Sequence, residues 1–292
     1  MTDRIIEISD TAASLTLDNG LLKAAAPDQA PVSVPVAEIQ CLILANPAIR
    51  ISGALLAALA ENKAVVLISG SNRMPVAMQF PLTGNYLQTE RFHAQIDAPK
   101  PLIKRLWQTV VKAKISRQAD LLCEFNKSDF RLHSLEGRVF SGDPQNIEAR
   151  AAAVYWKHLF LCPFTRDRSA QDSNLLLNYG YAVLRAMTAR ACCAAGLHPT
   201  IGINHHNRYD PFCLADDLME PFRPVVDRIV RKLNPDNLEI PELDQKSKKE
   251  ILSALLDKIQ TSSGRWTLPD LLRISAEQTA KSFQSGEVAL HY

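Results

Sequence analysis

The sequence predicts an α+β chain with a small N-terminal β-rich, β-sandwich-like domain containing one helix, followed by a larger all-α domain. Three observations predict it. Short β-rich runs crowd residues 4–80. Beyond "DAPKP" at 97–101 the apolar spacing becomes helical, and 292 residues is long for one domain.

The elements follow in order. "SLTLD" and "LLKAA" flank Asn19-Gly20, a pair suited to the two positive φ angles of a type I′ turn, so residues 14–25 read as a hairpin. "PVSVP", "CLILA", "AVVLIS" and "MPVAMQF" supply further strands. Between them "SGALLAALAENK" starts on a serine and carries leucines at helical spacing, predicting one short helix. The boundaries expected are a β-rich dimerisation domain over 1–83, a linker over 84–99 and a helical catalytic domain over 100–292. In the latter, Ile103, Leu106 and Val110 recur at i, i+3 and i+7. "NLLLNYGYAVLRAMTARACCAAGL" is too polar at Asn178, Arg185 and Arg190 for lipid and reads as the central buried helix. "KKEILSALLDKIQ" and "LPDLLRISAEQTAKSFQSG" predict two more amphipathic helices.

With 47% hydrophobic and 22% charged residues the composition is that of an ordinary globular protein. The chain has no run of 18 apolar residues, and its opening lacks a basic segment followed by an apolar one. A cytoplasmic protein without a membrane span is expected. Six scattered cysteines without C-x-x-C spacing read as reduced thiols.

The net charge of +2 is unevenly spread. Residues 1–90 hold five Lys/Arg against eight Asp/Glu, −3; the remainder holds 28 against 23, +5. Within it Lys100, Lys104, Arg105, Lys112, Lys114 and Arg117 fall in an 18-residue stretch free of acids. Such a run suits a polyanion such as nucleic acid, or else a solvated helix face.

"GINHHNRYDPFCLADDLMEPFRP", residues 202–224, gathers two histidines and several acids among apolar neighbours. On a helix Glu220 shares a side with Asp217, three residues before it, and equally with Asp216, four before it. Pro221 requires the helix either to begin near it or to bend. Carboxylates among such apolar residues need compensation, which a divalent cation ligated by them and by His205 or His206 would supply; Arg223 pairing with Glu220 is the alternative. In "GDPQNIEARAAAVYWKHLF", Asp143 can cap a helix starting at Pro144, placing Glu148 in its second turn. Glu148 shares a stripe with Ala152 and Tyr155, so it needs either a ligand role or a cation such as Arg150 or one from another helix.

Together "NIEARAAAVYW", "SNLLLNYGYAVLRA" and the 202–224 stretch, in that order, resemble the CRISPR-associated adaptation integrase family, the metal-dependent endonucleases that install new spacers in CRISPR arrays. "ISGALLAALAENKAVVLIS" followed by "MPVAMQFPLTGN" resembles that family's β-domain and its exit into the linker. The resemblance covers nearly the whole chain, and the HHN-to-MEPFRP form is similar to members from type II systems. It implies that Glu148, His205 and Glu220 bind one Mg²⁺ or Mn²⁺ and are the catalytic residues. His205 is preferred over His206 because it stands three residues after Gly202; the family commonly shows a histidine where this chain has Asn204. Asp217, His206 and Arg223 are implied as supporting residues.

The implied reaction is attack by the 3′-hydroxyl of a DNA fragment on a phosphodiester at a repeat border. Alanine at either glutamate is then expected to abolish strand transfer and spare folding. Phosphate contacts are expected from the basic run together with Arg166, Arg168 and Arg208, giving salt-dependent binding of double-stranded DNA without sequence specificity. Implied partners are a second copy of the chain, a small ferredoxin-like adaptation protein and the type II RNA-guided effector. A stand-alone structure-directed nuclease and a metal-free DNA-binding scaffold are the competing readings.

Overall fold

The computed structural model describes residues 4–9, 12–27, 29–70, 75–240, 242–261 and 264–292, and the chain divides into two compact units, Met1–Gln88 and Thr89–Tyr292. Strands β1 (Arg4–Ile8), β2 (Ser14–Asp18), β3 (Leu21–Ala25), β4 (Val32–Pro35), β5 (Ile39–Leu44) and β6 (Arg50–Ile51) precede helix α1 (Gly53–Glu61), and β7 (Val65–Ser69) and β8 (Pro75–Gln79) follow it. Asn19 and Gly20 have φ of 48° and 75°, so both central residues of the β2–β3 turn are left-handed, as a type I′ turn requires. Met74 of the "MPVAMQF" run lies outside the described residues.

Two four-stranded sheets form, in the orders β1-β5-β7-β8 and β4-β3-β2-β6. β5 lies parallel to both β1 and β7, and all six of its residues are buried, which accounts for the unbroken apolar run "CLIL". Leu15, Leu22 and Val34 from one sheet share a core with Ile39, Leu42 and Val66 from the other and with Leu55 and Leu59 of α1. α1 begins where expected because Ser52 Oγ accepts from Leu55 N–H.

The second unit contains α2 (Gln88–Ile96), α3 (Lys100–Asn126), α4 (Leu132–Glu136), α5 (Ile147–Leu159), α6 (Ser173–Ala194), α7 (Cys213–Met219), α8 (Arg223–Leu233) and α9 (Gln245–Ala254), then strands β9 (Lys258–Thr261) and β10 (Gly264–Thr267) and helix α10 (Leu268–Ser285). Two expectations are corrected. Residues 84–99, expected as a linker, contain α2, whose buried Gln95 donates to the carbonyls of His198 and Ile201 and accepts from His198 N–H. The unit is not all-α, because the "KKEILSALLDKIQ" helix stops at Ala254 and Lys258–Thr261 pairs antiparallel with Gly264–Thr267. α6 is the buried centre, packed by α7, α8, α9 and α10; α3 packs on α4, α5 and α8.

Candidate active site

The site is assembled from two helices, a turn and a loop. α5 presents Glu148, but the helix starts at Ile147, three residues later than the sequence predicts. Gly142, Asp143 and Asn146 all have positive φ, so the chain turns tightly before the helix. Asp143 nonetheless caps it: its two carboxylate oxygens accept from the N–H groups of Ile147 and Glu148, each at 2.9 Å. Glu148 is therefore in the first turn, with its backbone held by an acid.

Pro221 resolves the second expectation in favour of an interruption. α7 ends at Met219, a 3-10 turn spans Glu220–Phe222, and α8 starts afresh at Arg223 with Pro224 in its first turn, where a missing N–H costs little. Arg117 braces this turn: it donates to Pro221 O at 3.0 Å and lies over the rings of Phe222 and Tyr292.

α3 contributes Lys114. Its Nζ stands 2.6 Å from Glu148 Oε1 and 2.6 Å from Glu220 Oε2, while Arg223 Nε donates to Glu220 Oε1 at 2.8 Å. Glu220 Oε2 is buried, and the Lys114 ammonium 2.6 Å away is the cation it faces. Burial acts to raise the Glu220 pKa, but Arg223 and Lys114 outweigh it and bring the carboxyl down to about 2. Burial likewise acts to lower the Lys114 pKa, and Glu220 and Glu148 together hold it above the ordinary lysine value.

His205 is placed by Asp217. The wholly buried carboxylate accepts from the N–H groups of Ile203, Asn204 and His205, and Oδ1 is 2.5 Å from His205 Nδ1. That bond raises the His205 pKa against the opposing effect of burial, and the charge of Glu220 adds to the rise. Gly202 permits the arrangement: a Cβ there would meet His205 O at 2.4 Å and Asp217 Oδ2 at 2.9 Å. Asp216 faces elsewhere, in a two-pronged pair with Arg185 at 2.6 Å for both bonds. Between the two acids the sequence left open, Asp217 is the one that organises the histidine loop. His206 is exposed.

The structure thus brings Glu148 and Glu220 together on one ammonium and sets His205 against Asp217. Among the described residues no three His, Cys, Asp or Glu side chains stand grouped so as to hold a metal ion, and Lys114 lies between the two glutamate carboxylates. The donor set itself fits a divalent cation. Two carboxylates from separate elements converge on a cationic position, and Nδ1 of His205 is engaged by Asp217, which leaves Nε2 to face a further partner. Oxygen donors with one imidazole suit Mg²⁺ or Mn²⁺.

Several residues expected to contact DNA have other places. Lys114 belongs to the carboxylates and Arg117 to the 220–222 turn. Arg166 donates to the side-chain oxygens of Asn174 and Asn178, each at 2.7 Å, tying down the start of α6. Lys100, Lys104, Arg105, Arg168 and Arg208 are exposed, and Lys112 is half-buried. A signal for Lys114 was present: it lies on the Leu106, Val110 stripe, at i, i+4 and i+8, and both leading residues are fully buried. A second buried acid was missed as well. Asp227 of α8 accepts from the hydroxyls of Tyr155 and Tyr181, at 2.6 Å for Tyr155. All six cysteines are free, and no helix is long and apolar enough to cross a membrane among the described residues.

These features define an α+β chain whose helical unit centres on a buried and a half-buried glutamate and a carboxylate-held histidine. The family model for the CRISPR associated protein Cas1 matches residues 6–258. The CRISPR-associated endonuclease Cas1 of Neisseria meningitidis serogroup C is 36% identical over 256 residues, covering 87% of this chain and 83% of the relative. The chain belongs to the Cas1 family. Among solved structures, a casposase bound to its integration product has a TM-score of 0.76 at 19% identity, covering 100% of this chain and 93% of that one. A chain of a Cas6-RT-Cas1–Cas2 complex has a TM-score of 0.77 at 17% identity, covering 99% and 36%.

Proposed function

We propose that this chain is a divalent-metal-dependent DNA endonuclease and integrase of CRISPR adaptation, inserting short DNA fragments by 3′-hydroxyl attack on a phosphodiester. The observation that carries this reading is the convergence of Glu148 and Glu220 on one cationic position, with His205 held by Asp217 on its own loop. The name of the Neisseria relative and the casposase fold support it. Glu148, Glu220 and His205 Nε2 would hold Mg²⁺ or Mn²⁺, which when bound supplies positive charge to polarise the phosphoryl oxygen and to lower the pKa of the attacking hydroxyl.

The chain's own groups prepare that chemistry. Glu220 is fully ionised at neutral pH, so no proton has to leave it before a cation is bound. Arg223 fixes Oε1 of Glu220 and leaves Oε2 directed at the site. Asp217 fixes the His205 ring through Nδ1, and Asp143 fixes the Glu148 backbone. The exposed Lys100, Lys104, Arg105, Arg168 and Arg208 would hold double-stranded DNA by its phosphates. The reading extends to a dimer formed through the first unit and to a small ferredoxin-like partner; the fold shared with a chain of a Cas6-RT-Cas1–Cas2 complex supports a Cas protein as partner.

The test is Mn²⁺-dependent joining of a 3′-hydroxyl oligonucleotide to supercoiled plasmid. Joined product that disappears with EDTA and in Glu148→Gln is expected. Nicking without joining would replace the integrase by a nuclease, and metal-independent DNA binding without either would leave a scaffold.

A further inference from the structure

Lys114 is the one buried cation at this site to which the proposed reaction gives no part. Its side chain is 12% exposed, and the ammonium is within 2.6 Å of carboxylate oxygens that arrive from α5 and from the 3-10 turn. Two ionised carboxylates held this close to one point repel each other in a poorly solvated interior unless a cation lies between them. The geometry points to Lys114 as an internal counter-cation that keeps Glu148 and Glu220 at ligand spacing before the metal arrives and is displaced when it binds. This inference rests on the metal reading proposed above.

Three details make Lys114, and not Arg223, the cation that leaves. Nζ serves both glutamates as a single positive charge at 2.6 Å, donating to Glu148 Oε1, and a divalent ion among the same oxygens would supply more charge in its place. Arg223 meanwhile holds Oε1 through Nε, so Glu220 keeps its place once the ammonium has gone. A lysine stem carries a point charge on four rotatable carbons and can swing aside, whereas a guanidinium fork is committed to its geometry. The consequence is a competition: every metal ion that binds must displace one positive charge, and the affinity of the site is set below what its ligands alone would give.

The test is calorimetric titration of Mn²⁺ into the metal-stripped full-length protein and its Lys114→Met and Lys114→Arg variants. Lys114→Met is expected to bind Mn²⁺ at least about tenfold more tightly than the unaltered protein, and to show a lower Tm in EDTA that Mn²⁺ restores. Lys114→Arg is expected to bind no more tightly than the unaltered protein. Equal or weaker binding by a folded Lys114→Met overturns the inference while leaving the metal reading intact. Absence of Mn²⁺ binding by all three overturns the metal reading and this inference with it. Should Lys114→Met fail to fold, a crystal of the unaltered protein soaked in Mn²⁺ decides: Nζ withdrawn beyond ion-pair distance from at least one glutamate supports displacement, and Nζ retained on both beside a bound ion overturns it.

Discussion

Glu220 and Asp227 are two buried carboxylates on adjoining elements, and they have been driven in opposite directions. Burial pushes both pKa values up. At Glu220 the cations Arg223 and Lys114 reverse the effect and bring the group down to about 2. Asp227 is bonded mainly to two neutral phenols, Tyr155 and Tyr181, and burial leaves it raised to about 6. Depth alone therefore does not set the pKa of an interior acid; its partners do. One acid is kept anionic where a cation can be exchanged, and the other is locked into a phenol cluster that ties α5, α6 and α8 together.

The largest effect expected to sharpen this contrast is the loss of Glu148 or Glu220. Replacement of either by alanine should lower joining by a factor on the order of 10³, as follows from several kcal/mol of lost transition-state stabilisation, measured in the plasmid assay. Folding is expected to be spared less at Glu220 than at Glu148. Glu220→Ala leaves the buried Arg223 without its carboxylate and Lys114 with Glu148 alone, and should cost about 3–5 kcal/mol in urea unfolding; half-buried Glu148 should cost less.

The next effect falls on the histidine loop. Asp217→Asn removes the charge that orients His205 and should weaken Mn²⁺ binding by about 10–100-fold, read by calorimetry. Gly202→Ala forces a Cβ against His205 O and should act in the same direction. A Gly202→Ala variant with ordinary affinity would show that the loop shifts without moving the ring.

The smallest effect is a pair of opposed pH slopes. Glu220 is depressed, so its contribution is present above 4.5 and is lost as pH falls toward about 2. Asp227 is raised, so the folded state takes up its proton more readily than the unfolded chain; its contribution is greatest below 3.8 and is lost as pH rises through about 6. The Tm advantage of the unaltered protein over Asp227→Asn should accordingly shrink from pH 4 to pH 7, and its advantage over Glu220→Gln should shrink on acidification below pH 4.5. Slopes of the same sign would erase the distinction between the two acids.

Much of the molecule was legible in one dimension because its causes are local. Asn19-Gly20 dictates its turn by backbone freedom, Ser52 caps α1 three residues on, and the low charge of 174–197 marks a helix that water does not reach. Glu148, His205 and Glu220 were recognisable through family resemblance, which is likewise a property of the sequence. Their partners were not. Lys114 looked like part of a DNA-binding run because a charge count is blind to which side of α3 faces inward, and only the packing of α3 on α5 and on the Glu220–Phe222 turn put that ammonium between two glutamates. The choice of Asp217 over Asp216, the late start of α5 and the phenols around Asp227 belong to the same class. The sequence by itself determined which segments turn, coil and hide from water, since those depend on neighbours a few residues away. The tertiary structure alone decided which acid meets which cation, since electrostatic partners are chosen by distance in space and by the loss of solvent around them.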